Sequence, residues 1–223
     1  MITKTILVLA AATFLANSSM AAPIDGITLS EDGRTAVFSE SSGYLTTPPV
    51  HEAGTKTLFS NIGTKYPKGE YFCCFGDTIS GPDSVVGSQN WAAAQFASAD
   101  DAIVTEIDVA AEWAGGTNEI TINLYADKGG VPGKLLKTFK ATGLEGVSTC
   151  CAFAVGKDKT GIAIKGGRPY WVALTTGDPD TFAIWVDNST DQIHGLPLAG
   201  NTGTGWLAAG YQIPQLSFGV FGK

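Results

Sequence analysis

The feature that most constrains this chain is a period of two. In "AIVTEIDVAAEW", Ile103, Thr105, Ile107 and Val109 fall on one face of an extended strand. Val104, Glu106 and Asp108 fall on the other. In "NEITINLYAD", Ile120, Ile122 and Leu124 alternate with Glu119, Thr121, Asn123 and Tyr125. "RPYWVALTT" and "TFAIWVDN" repeat the pattern, and "KLLKTFKA", "CCAFAVG" and "LSFGVFG" add shorter runs. Between them stand "SGPDS", "AGGTN", "DKGGVPG", "VGKDKTG", "KGGRP", "TGDPD" and "AGNTGTG", all rich in the residues that turns need. Short strands broken this regularly predict an all-β fold. We expect an antiparallel β-sandwich of jelly-roll type with about ten short strands. "SQNWAAAQFASAD" is the best helix candidate, although Trp91 and Phe96 suit a strand equally.

Composition agrees. The chain has 223 residues, of which 44% are hydrophobic and only 16% charged, with 28 glycines. A sizeable core can be buried, and long solvated helices are not favoured.

The start "MITKTILVLAAATFLANSSMAAPIDG" reads as a secretory signal peptide. Lys4 supplies the positive region, Ile6 to Ala16 an apolar stretch too short to span a bilayer, and Ser19-Met20-Ala21 the small residues before cleavage. We therefore expect 1–21 to be a signal peptide, 22–54 an N-terminal leading segment with hairpin character, and 55–223 the sandwich domain. "TTPPV" marks the boundary. The formal charge of −7 becomes −8 once Lys4, the single charge in 1–21, is removed. An acidic exported chain is a poor partner for nucleic acid, and after cleavage for membrane, since both need clustered Lys and Arg. No C-terminal sorting signal is evident in "LSFGVFGK".

The four cysteines come in adjacent pairs, Cys73–Cys74 and Cys150–Cys151. Export permits disulfides, and four cysteines allow three connectivities. Vicinal bridges are strained, because neighbouring Cα atoms lie about 3.8 Å apart against a usual disulfide range starting near 4.4 Å. The other two connectivities tie the first pair to the second and staple distant strands. Zinc wants cysteines two to four residues apart, which CC…CC does not offer.

"TLFSNIG", "YFCCFGDTISG", "NLYADKGGVPGKLLKTF", "CCAFAVG", "GIAIKGGRPYWVAL", "AIWVDN" and "GWLAAG…FGVFG", in that order between about Thr57 and Gly222, resemble the choice-of-anchor family of secreted bacterial proteins, most closely its R type. The resemblance implies an extracellular or periplasmic β-sandwich domain. It implies no catalytic set, and residues 23–54 lie outside it.

No motif declares an activity. "GGVPGKL" imitates a phosphate loop, but Lys128 stands where the first glycine belongs and Leu135 where a hydroxyl is needed. "GTGWLA" lacks the downstream acid of a dinucleotide site. His51 and His194 have no Ser or Cys pattern beside them for a triad. Glu106 and Asp108, two apart, could serve a glycosidase, yet a solvated strand face is the simpler expectation. "DNSTDQIHG" is rich in oxygen ligands, so calcium on Asp187, Ser189 and Asp191 is the alternative to no metal and no cofactor. Trp185, turned away from Phe182, Ile184 and Val186, and Trp206 with Tyr211 are the candidate aromatic platform, with core packing as the competing role.

The resulting expectation is a secreted, non-catalytic binding or structural module, disulfide-stapled at Cys73, Cys74, Cys150 and Cys151. Its partner would be an extracellular polysaccharide or a surface protein. The alternatives are a carbohydrate-active enzyme or its accessory module, and a subunit of a surface or matrix assembly joined through strand edges.

Overall fold

The computed structural model describes residues 25–39, 49–62, 71–147, 153–188, 197–209 and 215–223, with the backbone alone for 71–74. The proposed signal peptide, Cys150, Cys151, Ser189, Asp191, His194 and Tyr211 lie outside the described residues.

The described residues carry no helix, and fourteen strands. They are β1 (Ile27–Leu29), β2 (Thr35–Phe38), β3 (Lys56–Ser60), β4 (Tyr71–Ser80), β5 (Trp91–Ala97), β6 (Ala102–Gly115) and β7 (Glu119–Asp127). Then follow β8 (Pro132–Thr142), β9 (Phe153–Ile164), β10 (Pro169–Thr175), β11 (Phe182–Asn188), β12 (Leu198–Asn201), β13 (Leu207–Ala209) and β14 (Phe218–Gly222). The excess over about ten comes from strands of three to five residues such as β1, β2, β12 and β13, too short to leave a clear alternation. No described helix is long and apolar enough to cross a membrane.

The strands form two antiparallel sheets that do not close into a barrel, an arrangement consistent with a β-sandwich. The larger has eight strands in the order β1-β2-β4-β11-β6-β14-β3, with β9 also on β6. The smaller has six, β13-β12-β5-β10-β7-β8. The alanine-rich helix candidate is strand β5. Its Ala92, Ala94 and Phe96 enter the main core, Ala93 faces outward, and β10 and β12 hydrogen-bond its two edges. Alanine's helical preference is weak against two complete ladders.

The main core lies between the sheets. Ile79, Val104, Ile107, Val109 and Trp185 from the larger meet Phe96, Ile122, Leu124 and Val172 from the smaller. Phe218 spans the gap, with Trp185 at 6.0 Å and Phe96 at 6.3 Å between ring centroids, both edge-on. A second cluster lies on the other face of the larger sheet, built from Ile27, Ala36, Phe38, Ile62, Ala110, Phe182, Ile184 and Val186. The leading segment supplies part of it, because the β1–β2 hairpin adds to the sheet edge through β4. Both faces of β11 are therefore buried, as its seven residues show.

"GGVPG" is the β7–β8 turn. Gly129 and Gly130 take positive φ, the Lys128 N–H donates to the Val131 carbonyl, and the Gly130 N–H donates to Asp127. Gly76 is required for a different reason. A Cβ there would press on the Trp185 carbonyl oxygen of the adjoining strand and on the Ile184 side chain. Gly76→Ala should cost about 1–3 kcal/mol, the range for overpacking a tight interior. Gly129→Asn, a residue that tolerates left-handed φ, faces open space there and should cost less than about 1 kcal/mol. Urea midpoints at unchanged m-value measure both. Equal losses would contradict the packing account.

Candidate functional site

The site begins with an irregularity in β6. Glu106 pairs with Phe221 of β14 and Val104 with the next residue, Gly222, so Thr105 is an extra residue in that ladder. Alternation therefore restarts. Val104 joins Ile107, Val109 and Ala111 in the main core, while Ala110 lies in the cluster on the opposite face. Glu106 and Asp108 share the Ala110 face by alternation. The sequence expectation of one face for Val104, Glu106 and Asp108 is corrected by the bulge. The expectation of a solvated face is corrected too: Glu106 is 4% exposed and Asp108 1%.

What covers them is His51, from the segment ahead of β3. Its Nδ1 lies 3.3 Å from Glu106 Oε1 and 3.9 Å from Asp108 Oδ2. The ring stacks on Phe221 of β14, centroids 3.9 Å apart. Lys157 of β9 brings its Nζ to 3.0 Å from the same Glu106 oxygen. Burial, and then the neighbouring Glu106 charge, push the Asp108 carboxyl up to about 8 against the pull of Lys157. Asp108 therefore keeps its proton at neutral pH and hydrogen-bonds Glu106. The ligand atoms of the two acids lie within 4.8 Å of each other, whereas the carboxyls of a glycosidase pair stand about 5–9 Å apart. A groove of about 190 Å³ adjoins them, lined among others by Glu52, Thr105, Glu106, Lys157, Lys159 and Lys223.

A second acidic pair faces the main core. Asp77 is opposite Trp185 on β11, and Asp187 opposite Leu216; both partners are core residues, and directly opposed residues share a face. Asp187 is fully buried, with no hydrogen-bond partner for either carboxylate oxygen. Burial raises its pKa well above the usual range, and Asp77 adds repulsion. Burial likewise pushes Asp77 up to about 7; Arg34 lowers it and Asp32 raises it. Of the calcium alternative, only Asp187 is among the described residues.

The aromatics divide. Trp185 is fully buried in the main core and donates its indole N–H to the Ser217 carbonyl at 2.9 Å. Its ring offers no face to a ligand, which corrects its placement on a platform. Core packing, the competing role, describes it. The alternation did turn it away from Phe182, Ile184 and Val186, but toward the main core, with those three in the second cluster. Trp206 is half-buried on the outer face of the smaller sheet, edge-on to Tyr125 at 6.1 Å. Beneath lie Ala93, Ala173, Ala199 and the buried Trp171, whose indole N–H donates to Asp127 at 2.8 Å. Cys73 and Cys74 lie on β4.

Sequence reading missed His51 as a partner of the acids, because 55 residues separate it from Glu106 and no local pattern links them. It also missed Asp77. The one available signal there was a lone acid amid the apolar residues of "YFCCFGDTIS".

The raised pKa values set the sign of the pH dependence. Acids whose folded pKa exceeds the unfolded 3.8 bind more protons folded than unfolded. Stability should fall as pH rises from about 4 through 7–8, where Asp77 and Asp108 lose their protons. Asp187→Asn mimics the protonated form. It should leave the melting temperature nearly unchanged at pH 4 and raise it at pH 8. The rise should be at least about 3 °C, given about 1.4 kcal/mol per pKa unit and roughly 2–4 °C per kcal/mol at this chain length. A variant that melts lower at pH 8 would contradict an uncompensated buried acid.

No family model matches the chain, and no curated protein or solved structure matches it either.

Proposed function

We propose that the chain is a secreted, non-catalytic binding module, a β-sandwich of jelly-roll type that takes extracellular polysaccharide on the outer face of its smaller sheet. The observation that carries this reading is the loop between β12 and β13. Asn201 Oδ1 accepts the Gly203 N–H at 2.9 Å and the Gly205 N–H at 3.2 Å, which fixes the loop from within. Positive φ at both glycines makes the turn. The fixed loop presents Trp206 half-buried beside Leu207, which is 64% exposed. A partly exposed indole braced against Tyr125 loses little entropy on binding and offers an apolar surface to the C–H face of a sugar ring. The close spacing of Glu106 and Asp108, shorter than that of a glycosidase pair, supports the non-catalytic part. The resemblance to choice-of-anchor proteins supports an exported, bacterial setting, with Cys73 and Cys74 bridged to Cys150 and Cys151.

A glycan and polysaccharide array with purified protein tests the reading. Wild type should bind at least one polysaccharide. Trp206→Ala should weaken it about tenfold or more, with an unchanged circular dichroism spectrum, a central aromatic contact being worth about 1–3 kcal/mol. No binding at high protein concentration, or equal binding by the variant, would overturn it. Peptide mapping without reduction should recover bridges between the first and second cysteine pairs; free thiols there would refute the staple.

A further inference from the structure

His51, Glu106 and Asp108 each bring a potential metal-ligand atom within 4.8 Å of the other two. In a tetrahedral zinc site, bonds of about 2.1 Å put ligand atoms about 3.4 Å apart. The observed separations from His51 Nδ1, 3.3 Å to Glu106 and 3.9 Å to Asp108, are close to that edge. A second observation is independent of this spacing. Asp108 is 1% exposed, and its Oδ1 is buried with no hydrogen-bond partner. Such orphaned acceptors are uncommon in folded proteins and call for an explanation. The stack on Phe221 holds the imidazole in place. Lys157 already sets a cation on Glu106, and its side chain is 49% exposed at the mouth of the adjoining groove. It is long enough to swing out into solvent.

We propose that His51, Glu106 and Asp108 form a binding site for a divalent transition ion of the zinc type, with Lys157 as the displaceable cation of the metal-free state. One imidazole nitrogen and two carboxylates suit zinc and its neighbours, whereas calcium prefers six to eight oxygens. On binding, the ion takes the place of the Asp108 proton, which leaves to solvent, and the two carboxylates then balance its charge. Three protein ligands leave a fourth position for water or for a donor from a bound partner. The site sits on the larger sheet and owes nothing to Trp206, so it stands or falls separately from the polysaccharide reading.

Calorimetric titration of the chelator-treated, purified protein with zinc chloride tests it, with cobalt(II) and its visible absorption as a second probe. One equivalent should bind, and the cobalt spectrum should lack the intense charge-transfer band of thiolate ligands. His51→Ala alters a partly exposed side chain and should fold as wild type by thermal melting. It should weaken zinc binding about tenfold or more, on the scale of losing a metal-site contact. Lys157→Met should tighten binding several-fold by removing the competing ammonium, an effect that a merely structural ion pair would not give. Absent binding, undiminished binding in His51→Ala, or unchanged affinity in Lys157→Met would each overturn the assignment.

Discussion

The structure depends on one strand. β6 runs 14 residues and is hydrogen-bonded to three others, β9, β11 and β14. A strand held on both edges and packed on both faces has no solvated side. Every residue from Glu106 to Glu112 is accordingly buried. The extra residue at Thr105, opposite the Phe221–Gly222 step of β14, decides which of them face the main core. Without it, Ile107, Val109 and Ala111 would turn outward and Glu106, Asp108 and Glu112 would turn inward, because one step of register inverts every side chain beyond it. The bulge thus places the acids of β6 on the face where His51 and Lys157 can reach two of them.

The same principle explains what the sequence made legible. Period-two alternation announced β6, β7, β10 and β11, and the glycine-rich punctuation announced their turns. Antiparallel sheets follow from that pattern with little else required. Pairing does not. Nothing in "AIVTEIDVAAEW" marks Thr105 as the bulge, and nothing in "TFAIWVDN" says that both faces of the strand are covered. Trp185 was expected opposite Phe182, Ile184 and Val186, and it is; what local pattern could not reveal was a second apolar cluster on the far side of the sheet. The β1–β2 hairpin, which looked like a leading segment, supplies Ile27, Ala36 and Phe38 to that cluster. Trp206, in contrast, could be found from composition alone, since its glycine-rich loop has no alternation to bury it.

Burial of acid is the cost of this architecture. Asp77, Asp108 and Asp187 lie on three different strands of the larger sheet, and burial is the first cause of each raised pKa. Contrast Asp158 at the surface, which Lys137 and Thr160 hold well below the ordinary carboxylate range. Desolvation, more than pairing, governs the interior of the larger sheet, and pairing governs its rim. An interior of this kind tolerates protons or cations and resists bare charge.

The measurement that tests this most directly is a carbon-13 NMR titration of the aspartate carboxyl groups in metal-free protein. The account predicts that Asp108 titrates near 8 and Asp77 near 7, and that Asp187 titrates well above the ordinary aspartate range. If all three titrate below about pH 5, near ordinary aspartates, the carboxyls are solvated and the buried acid face of β6 is wrong.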